Sequence, residues 1–545
     1  MADPTPEAAT ALALTQGQCD IDSGDTYNDH LAKAVAGGAG IPAVSWEDVD
    51  RALFNSLKQR FDLGLFDGKE AYAWPTNDDV GTVASSALSL EASEKSIVLL
   101  RNDNDLLPLE PGKKVAVIGP HGNATTVMMQ PYPFSPFCAD KTLGCIVSPV
   151  EAIATQNSAA ERPKEGESWT RYAPACDLFN TSKAGFDAAL ALAKEADVIV
   201  LALGIETCGM NPEHNVNPQR PGQCYQEKPT TGYVFPDQYL ELEAHDRTTI
   251  DLPQIQHDLF DAVMGVGKPT VLVLMNAGAV AIDREAAYVG SDKAPLAIIE
   301  AFYPGPHGGT ALARGMYGSM NAWGRLPYTI YPKKFETETD MSEHDLRRAP
   351  GRTYRYYRDP LWRFGEGLTL TNWSLSLAAG TPAAPSCLGT LPTDASGPAC
   401  RVEIEVKNTG TRDGDAVVMA YWRSSGGGGG GGGGDNGSSP PPSSSSPSSS
   451  SPSPSAAAAG GGELLTPLRQ LFDFERVTVA AGCTVSVTFN VTARKIAAYA
   501  DNGDQVADAG SFALTFEDGG GARVDLEAKM VGARTVLETF PSDKP

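Results

Sequence analysis

The chain has 545 residues, of which 41% are hydrophobic, so it can bury sizeable cores in about three domains of ordinary size. Its formal net charge of −24 and isoelectric point near 4.7 argue against nucleic acid as a partner, because phosphates would be repelled. It contains no run of about 18 apolar residues, so the sequence predicts no membrane span.

Two helices are predicted in the first hundred residues. Over residues 46–66, apolar side chains recur at helical spacing and glycines follow, which is typical of a helix and its stop. A second helix is predicted over residues 85–100, which run into the apolar sequence IVLL. The N-terminal sequence MADPTPEAATALALTQG lacks the basic region and apolar core of a signal peptide, so no signal peptide is predicted in the chain.

The middle of the chain alternates short apolar runs with amphipathic segments. Buried strands are predicted over residues 114–119, 197–204, 269–275 and 294–302. Helices are predicted over residues 186–196, 254–266 and 308–317. Strands that alternate with helices predict a layered α/β domain with a mostly parallel sheet.

After residue 370 the pattern changes to short strands separated by turns, which predicts a β-sandwich. The predicted strands include residues 400–408, 416–422, 484–491 and 510–516. Residues 424–462 consist almost entirely of Gly, Ser, Pro and Ala. Such a composition buries too little apolar surface to offset its ordering entropy, so we expect a disordered hairpin insertion there.

Nine cysteines are present and none forms a CxxC pair, so the sequence predicts no zinc site and no other metal. Three pairs lie close enough in sequence to form disulfides, namely Cys138 with Cys145, Cys208 with Cys224, and Cys387 with Cys400. Five glycosylation sequons are compatible with secretion, at Asn123, Asn180, Asn372, Asn436 and Asn490.

The stretch ELEAHDRTTIDLP, residues 241–253, concentrates charge just before a predicted helix. An ordinary solvated helix entrance is one interpretation of it. The other is an acid held for catalysis, because the stretch lies in the connection after strand 197–204, and loops at the carboxyl ends of parallel strands face the ligand crevice.

The order of several motifs identifies a family. The chain resembles glycoside hydrolase family three, in its plant- and fungus-type β-xylosidase/α-arabinofuranosidase branch. The motifs that carry the resemblance occur in the family's order: ALALTQGQCDIDSGDTYNDHLAKAV, VDRALFNSLKQRFDLGLFDG, SIVLLRNDNDLLPL, VAVIGPHGNAT, EAHDRTTIDLP, YPGPHGGTALARGMYG, GRLPYTIYP, PGRTYRYY and KNTGTRDGD.

The resemblance implies a fold of α/β plus all-β class. Its parts are a (β/α)₈ barrel, an α/β sandwich domain and a C-terminal fibronectin-III-like β-sandwich. The implied divisions are a barrel remnant (1–68), a linker (69–84), the α/β sandwich (85–332), a second linker (333–370), the fibronectin-III-like domain (371–530, with the insertion 424–462) and a tail (531–545). On this template the first six or so barrel strands and the nucleophilic aspartate are expected upstream of Met1, and no residue of the chain is assigned as nucleophile.

The family's acid/base motif, similar to Glu-Gly-x-Asp-Arg, matches Glu243 to Arg247, with alanine in place of the usual glycine. The resemblance implies that Glu243 is the general acid/base, and Glu241 is the alternative. Such a glutamate needs a raised pKa, which burial or a neighbouring carboxylate such as Glu241 or Asp246 can supply. Arg247 is expected to orient Asp246. For His245, a substrate contact and a solvent-facing position both remain open.

The resemblance implies removal of terminal xylose- or arabinose-type residues from cell-wall oligosaccharides by a retaining mechanism with two carboxylates. It implies no cofactor, an oligosaccharide partner, and an extracellular or cell-wall location for the full-length form. Without the nucleophile we expect the chain by itself to be inactive. Two alternatives stay open: a catalytically inactive carbohydrate-binding or scaffold protein, and β-glucosides as substrates.

Overall fold

The computed structural model describes residues 5–68, 76–79, 81–129, 144–158, 168–178, 181–206, 241, 247–288, 294–378, 385–425, 467–500 and 502–539. The chain divides into two compact units, Met1–Thr82 and Val83–Pro545. The α-helices are α1 Pro6–Thr15, α2 Thr26–Ala36, α3 Trp46–Asp62, α4 Val83–Ser96, α5 Pro149–Asn157, α6 Phe186–Glu195, α7 Gln254–Met264, α8 Asp283–Ala286, α9 Gly308–Met316, α10 Phe335–Glu338 and α11 Thr353–Tyr356.

The strands fall into the two regions that the sequence patterns separate. The strands before residue 370 are β1 Val98–Asn102, β2 Val115–Ile118, β3 Thr170–Ala173, β4 Val198–Gly204, β5 Thr270–Met275 and β6 Leu296–Glu300. Those after residue 370 are β7 Trp373–Leu377, β8 Leu391–Pro392, β9 Cys400–Asn408, β10 Gly414–Ser424, β11 Gln470–Val479, β12 Thr484–Val491, β13 Ala498–Tyr499, β14 Gln505–Ala507, β15 Gly510–Glu517, β16 Arg523–Val531 and β17 Thr535–Glu538.

The described residues of the first unit form helices α1 to α3 and a short 3₁₀ turn. Helix α3 begins where the sequence predicts, because Ser45 and Asp48 form a reciprocal capping box. Its buried side chains are the small Ala52 and Ser56, whereas Phe61 on the predicted apolar face is 64% exposed. The assignment of this unit as a barrel remnant stays a prediction.

The second unit contains a six-stranded sheet in the order β1-β6-β5-β4-β2-β3. Its strands pair in parallel except for β1, which runs antiparallel to β6. The four strands β2, β4, β5 and β6 are almost wholly buried, which explains why they read as continuous apolar runs. The predicted mostly parallel sheet is therefore confirmed.

Helices cover both faces of this sheet. Leucines and isoleucines of one strand face, such as Leu201 and Leu272, share a core with α6 and α7. Residues of the opposite face, such as Val200 and Val273, share a core with α5 and α9. Two layers of helix on one sheet give the α/β sandwich that the family resemblance implies.

The helix predicted over residues 85–100 is wrong at its C-terminal end. Helix α4 ends at Ser96, and the following apolar residues form the edge strand β1. A short apolar run cannot be assigned to helix or strand from its periodicity alone. Here Val98 pairs with Glu300 of β6, so tertiary pairing decides the structure.

The C-terminal region is all-β, as predicted. A five-stranded sheet in the order β11-β10-β15-β16-β8 and a three-stranded sheet in the order β12-β9-β7 enclose a common core. A further small sheet joins β13, β14 and β17, and β17 lies within the predicted tail at 531–545. Most of the insertion predicted at 424–462 lies outside the described residues, although Ser424 still ends β10.

One of the three predicted disulfides is present, between Cys387 and Cys400, with the Cα atoms 5.5 Å apart. It ties the start of β9 to the segment before β8. The other two predicted pairs each include a cysteine outside the described residues. Among the helices that the structure describes, none has the length and apolarity to cross a membrane.

Candidate active site

The sequence-predicted site residues divide into two groups. Glu241 and Arg247 are described by the structure, whereas Glu243, His245 and Asp246 lie outside the described residues. The role of Glu243 as acid/base therefore stays a prediction. The two described residues flank it and lie at the carboxyl edge of the parallel sheet, where β4, β5 and β6 end.

Polar side chains from several distant segments meet at this edge, because the carboxyl ends of neighbouring parallel strands open onto one crevice. We call them the sheet-edge cluster, and it consists of Glu206, Glu241, Arg247, Asn276, Glu300, Tyr303 and Tyr328.

Glu241 is bound by three donors. The backbone N–H groups of Ala277 and Gly278, directly after β5, donate to its Oε2 and Oε1 at 2.8 and 2.6 Å. The Tyr303 hydroxyl, directly after β6, donates to Oε2 at 2.5 Å. The backbone N–H of Glu241 donates to the carbonyl oxygen of Glu206 at 3.3 Å. These contacts fix the backbone at residue 241 against the ends of three strands.

Arg247 is held by the turn at residues 277–279, which also binds Glu241. Its Nη2 donates to the carbonyl of Ala279 at 3.0 Å, and its buried Nη1 has no hydrogen-bond partner among the residues that the structure describes. A methyl group added to Gly278 would lie 2.7 Å from Nη2 and 3.3 Å from Glu241 Oε1, so glycine permits this close approach. The unpartnered Nη1 gives the site a cationic donor that a sugar hydroxyl can accept from.

Tyr303 lies in the stretch YPGPHGG, between the strand predicted over residues 294–302 and the helix predicted over residues 308–317. The structure has the same order, since β6 ends at Glu300 and α9 begins at Gly308. However, the Tyr303 side chain is a member of the cluster. Burial, followed by the negative charge of Glu241, raises the pKa of Tyr303 well above its usual range, so the hydroxyl keeps its proton and donates it in the hydrogen bond to Glu241.

Glu300 is a second acid at the site, and the sequence analysis missed it. It ends β6, is fully buried, and accepts a hydrogen bond from the Phe302 N–H at 3.1 Å. Burial raises the pKa of Glu300 to about 8. The available signal was an acid at the end of the apolar strand LAIIE, in a sheet whose strands are buried on both faces.

His121 also lies at this edge of the sheet. It follows Ile118, the last residue of β2, by three residues. Its Nε2 lies 3.2 Å from the carbonyl oxygen of Ile205, and the ring is 1% exposed. Burial lowers the pKa of His121 to about 4, so the neutral ring carries its proton on Nε2 and donates it to that carbonyl. His121 therefore supports the backbone at the end of β4.

A cavity of about 440 Å³ adjoins the cluster at Tyr328 and at Ala279, the residue whose carbonyl binds Arg247. The volume falls within the range of small-molecule sites. Its lining is mostly apolar and aromatic: Ala279, Pro327, Tyr328, Thr329, Tyr331, Leu346, Thr353, Tyr354, Arg355 and Phe364. A mixed wall of aromatic rings and a few polar groups suits the apolar faces and hydroxyl edges of a sugar ring.

Family models match both parts of the second unit. The glycosyl hydrolase family 3 C-terminal domain matches residues 97–371, and the fibronectin type III-like domain matches residues 457–518.

Curated relatives with similar sequences include xylosidases of fungi and plants. Probable exo-1,4-beta-xylosidase bxlB of Aspergillus fumigatus is 29% identical over 98% of this chain and 59% of its own length. Beta-D-xylosidase 1 of Arabidopsis thaliana is 33% identical over 69% of this chain and 42% of its own length. The chain therefore spans less than two thirds of the length of these relatives.

Solved structures with the same fold include a GH3 exo-beta-xylosidase (XlnD) in complex with a xylobiose aziridine activity-based probe. It matches with a TM-score of 0.70 and 25% identity, over 99% of this chain and 60% of the xylosidase chain. A beta-glucosidase from Listeria innocua, in complex with isofagomine, matches with a TM-score of 0.63 and 20% identity, over 97% of this chain and 61% of its own. The second match bears on the fold alone.

Proposed function

Because the chain belongs to glycosyl hydrolase family 3, we propose that its protein is a glycosidase that removes terminal xylose- or arabinose-type residues from cell-wall oligosaccharides. The reaction proceeds with retention of configuration and uses two carboxylates, one as nucleophile and one as acid/base. No residue of this chain is assigned as the nucleophile, and the chain contributes the acid/base.

We assign the acid/base role to Glu243. This assignment rests on the two described residues on either side of Glu243 in the sequence. Glu241 and Arg247 both bind the turn at residues 277–279, on the carboxyl edge of the sheet. Both residues therefore lie at the crevice where ligands of parallel α/β sheets bind. Glu241 has all three of its donors within the protein and serves as an anchor.

In this mechanism, the acid protonates the leaving oxygen and then, as a base, takes the proton of the attacking water. Tyr303 and the two backbone amides hold the Glu241 carboxylate, which lies two residues before Glu243 in the sequence. Arg247 offers its Nη1 to a substrate hydroxyl.

The test is turnover of aryl β-xyloside, aryl α-arabinofuranoside and aryl β-glucoside by the longest natural form of the protein. Glu243→Gln is expected to lower kcat about 10²- to 10⁴-fold, because general acid–base catalysis contributes that much. An added small anion such as azide should restore part of the activity, because it attacks the glycosyl intermediate in place of water, displaces the enzyme's carboxylate and needs no general base. Glu527→Gln, on the exposed face of β16, is the matched control and should leave kcat unchanged.

The alternatives make different predictions in the same assay. A catalytically inactive carbohydrate-binding protein would bind xylo-oligosaccharides in calorimetry without turning over any of the three substrates. A β-glucosidase would have its highest kcat/KM on the glucoside. Unchanged turnover after Glu243→Gln, together with a loss after Glu241→Gln, would transfer the acid/base role to Glu241.

We also propose that the protein works outside the cell. The Cys387–Cys400 disulfide supports this location, because disulfides persist in oxidising compartments. We expect the protein from its natural source to carry N-linked glycans at some of its five sequons, so that enzymatic deglycosylation lowers its mass. An unchanged mass, with both cysteines found as free thiols, would contradict an extracellular location.

A further inference from the structure

Gln256 of α7 is a fully buried polar side chain that lies outside the sheet-edge cluster. Its Oε1 accepts from the Gly204 N–H at 2.8 Å, and its Nε2 donates to the carbonyl oxygens of Gly204 and Leu178 at 2.7 and 3.0 Å. A glutamine amide has one acceptor oxygen and two N–H donors, so all three groups are bound. These partners also determine the orientation of the amide, because a flipped amide would place its oxygen against two carbonyl oxygens.

The contact with Gly204 occupies the position of a neighbouring strand. Strand β2 pairs with β4 as far as Leu201, whereas β5 pairs with β4 as far as Gly204. At Gly204, β2 has therefore ended, and the buried backbone groups on that side of β4 need other hydrogen-bond partners. The Gln256 side chain binds both the N–H and the carbonyl oxygen of Gly204, so α7 supports the end of the strand.

The end of β4 leads directly to the candidate acid/base segment. Glu206 lies two residues after Gly204, and its carbonyl oxygen accepts from the Glu241 N–H at 3.3 Å. The backbone position of Glu241 therefore depends on the position of Glu206. Because peptide units are planar and stiff, a shift of Gly204 moves Glu206 as well.

We propose that Gln256 is a positioning residue for the acid/base: by holding the end of β4, it sets the position of Glu206 and, through it, that of Glu241. This inference deepens the proposed function and rests on it, since Glu243, two residues after Glu241, is the acid/base there. Gln256 touches no reacting atom. The support that it gives to β4 is independent of the proposed function.

A purely structural role of Gln256 predicts a different kinetic pattern. In xylobiose, the departing sugar needs a proton from the acid, whereas dinitrophenolate departs from an aryl β-xyloside without one. A displaced acid therefore lowers kcat/KM for xylobiose far more than for dinitrophenyl β-xyloside. A smaller fraction of folded enzyme lowers both values by the same factor. The ratio of the two kcat/KM values thus distinguishes the two roles within one enzyme preparation.

The test uses two substitutions of Gln256 in the longest natural form of the protein. Gln256→Met keeps the length of the side chain and removes its three hydrogen bonds. Gln256→Asn keeps the amide but is one carbon shorter, so the amide reaches Gly204 only through a bridging water. Gln254→Met is the matched control, because Gln254 lies on the same helix, is exposed, and donates only to the neighbouring Asp258 at 2.7 Å.

We expect Gln256→Met to lower kcat/KM for xylobiose roughly 10- to 100-fold, because a small displacement of a catalytic group has effects of this size. For dinitrophenyl β-xyloside, kcat/KM should stay near the wild-type value. Gln256→Asn should change the ratio in the same direction by a smaller factor, and Gln254→Met should leave it unchanged. The proposed positioning role is overturned if both substitutions of Gln256 leave the ratio at the wild-type value.

Amide hydrogen exchange, resolved to single residues by mass spectrometry, tests the support of β4 without a substrate. The Gly204 amide should exchange faster in Gln256→Met than in the wild type, relative to the amide of Val200 in the middle of β4. Equal protection of the Gly204 amide in both proteins would also overturn the proposal. If the wild type turns over neither substrate, the proposed function fails and the catalytic part of this inference fails with it, whereas the exchange rates still show whether Gln256 supports β4.

Discussion

Replacing His257 by leucine is expected to lower the free energy of unfolding by about 3–5 kcal/mol at pH 6, since it leaves the fully buried Glu285 carboxylate without its cation. His257 lies in α7 and is 4% exposed. Its Nδ1 is 2.7 Å from Glu285 Oε1 and its Nε2 is 2.9 Å from Asp251 Oδ1. Because carboxylates flank both ring nitrogens, the ring donates from both and carries a positive charge.

The effect should depend on pH in a defined direction. Burial by itself would lower the pKa of His257, but the hydrogen bonds that its ring donates to Asp251 and Glu285, together with their negative charges, outweigh it and raise the pKa to about 9. The folded pKa therefore lies above the unfolded value of 6.5, so this stabilisation is complete below pH 6.5 and is lost as pH rises through about 9. The difference in free energy of unfolding between wild type and His257→Leu should therefore shrink as pH rises towards 9.

The measurement is denaturant unfolding of wild type and His257→Leu at pH 6 and pH 9.5. His344→Leu is the control, because His344 is exposed and its replacement should change stability by less than about 0.5 kcal/mol. A loss that stays the same at both pH values would show that packing, and not the charge of His257, explains it. The ion pairs of His257 also bear on the site. Asp251, which follows Arg247 by four residues, is bound by His257 and by Lys333 at 3.0 Å.

Gly204→Ala is the second substitution with a large expected effect, on the order of 4 kcal/mol, from backbone strain and overpacking together. Gly204 ends β4 with φ +143°, where a Cβ would lie 2.0 Å from the carbonyl oxygen of Met275 in β5. The three nearest atoms are all backbone atoms of Met275, so relief requires β4 and β5 to separate. That movement would displace Ile205, whose carbonyl accepts from His121.

Gly267→Ala separates the cost of backbone strain from the cost of overpacking. Gly267 also has a positive φ, +78°, but a Cβ there meets no atom within 4 Å. It should therefore cost only the conformational strain, about 1–2 kcal/mol. Thermal unfolding followed by circular dichroism compares the two variants. Equal losses for the two would contradict the predicted clash between β4 and β5.

Local patterns were sufficient for much of the fold. Strands β2, β4 and β5 lie within one residue of their predicted bounds, and β9 matches residue for residue. A run of apolar residues that is closed by glycine indicates a strand buried on both faces, whatever its neighbours are. The capping box of α3 is similarly local, since Ser45 and Asp48 are three residues apart.

The edge strand β1 shows where local reasoning fails. Its apolar residues follow α4 directly, and nothing in residues 97–100 separates a helix end from a strand. The pairing of Val98 with Glu300, some 200 residues later, decides the matter. That hydrogen bonding exists only after the sheet has assembled.

For the candidate site, the sequence by itself determined the motif: Glu241, Glu243 and Arg247 are fixed by their order in EAHDR and the residues before it. Only the tertiary structure placed Glu300 and Asn276 at the same edge of the sheet. The run LAIIE marks an acid at the end of a buried strand, but no local pattern records which groups enclose it, because they come from strands and loops that are distant in sequence. Enclosure is also what changes the chemistry, since it removes the water that would otherwise stabilise the ionised carboxylate.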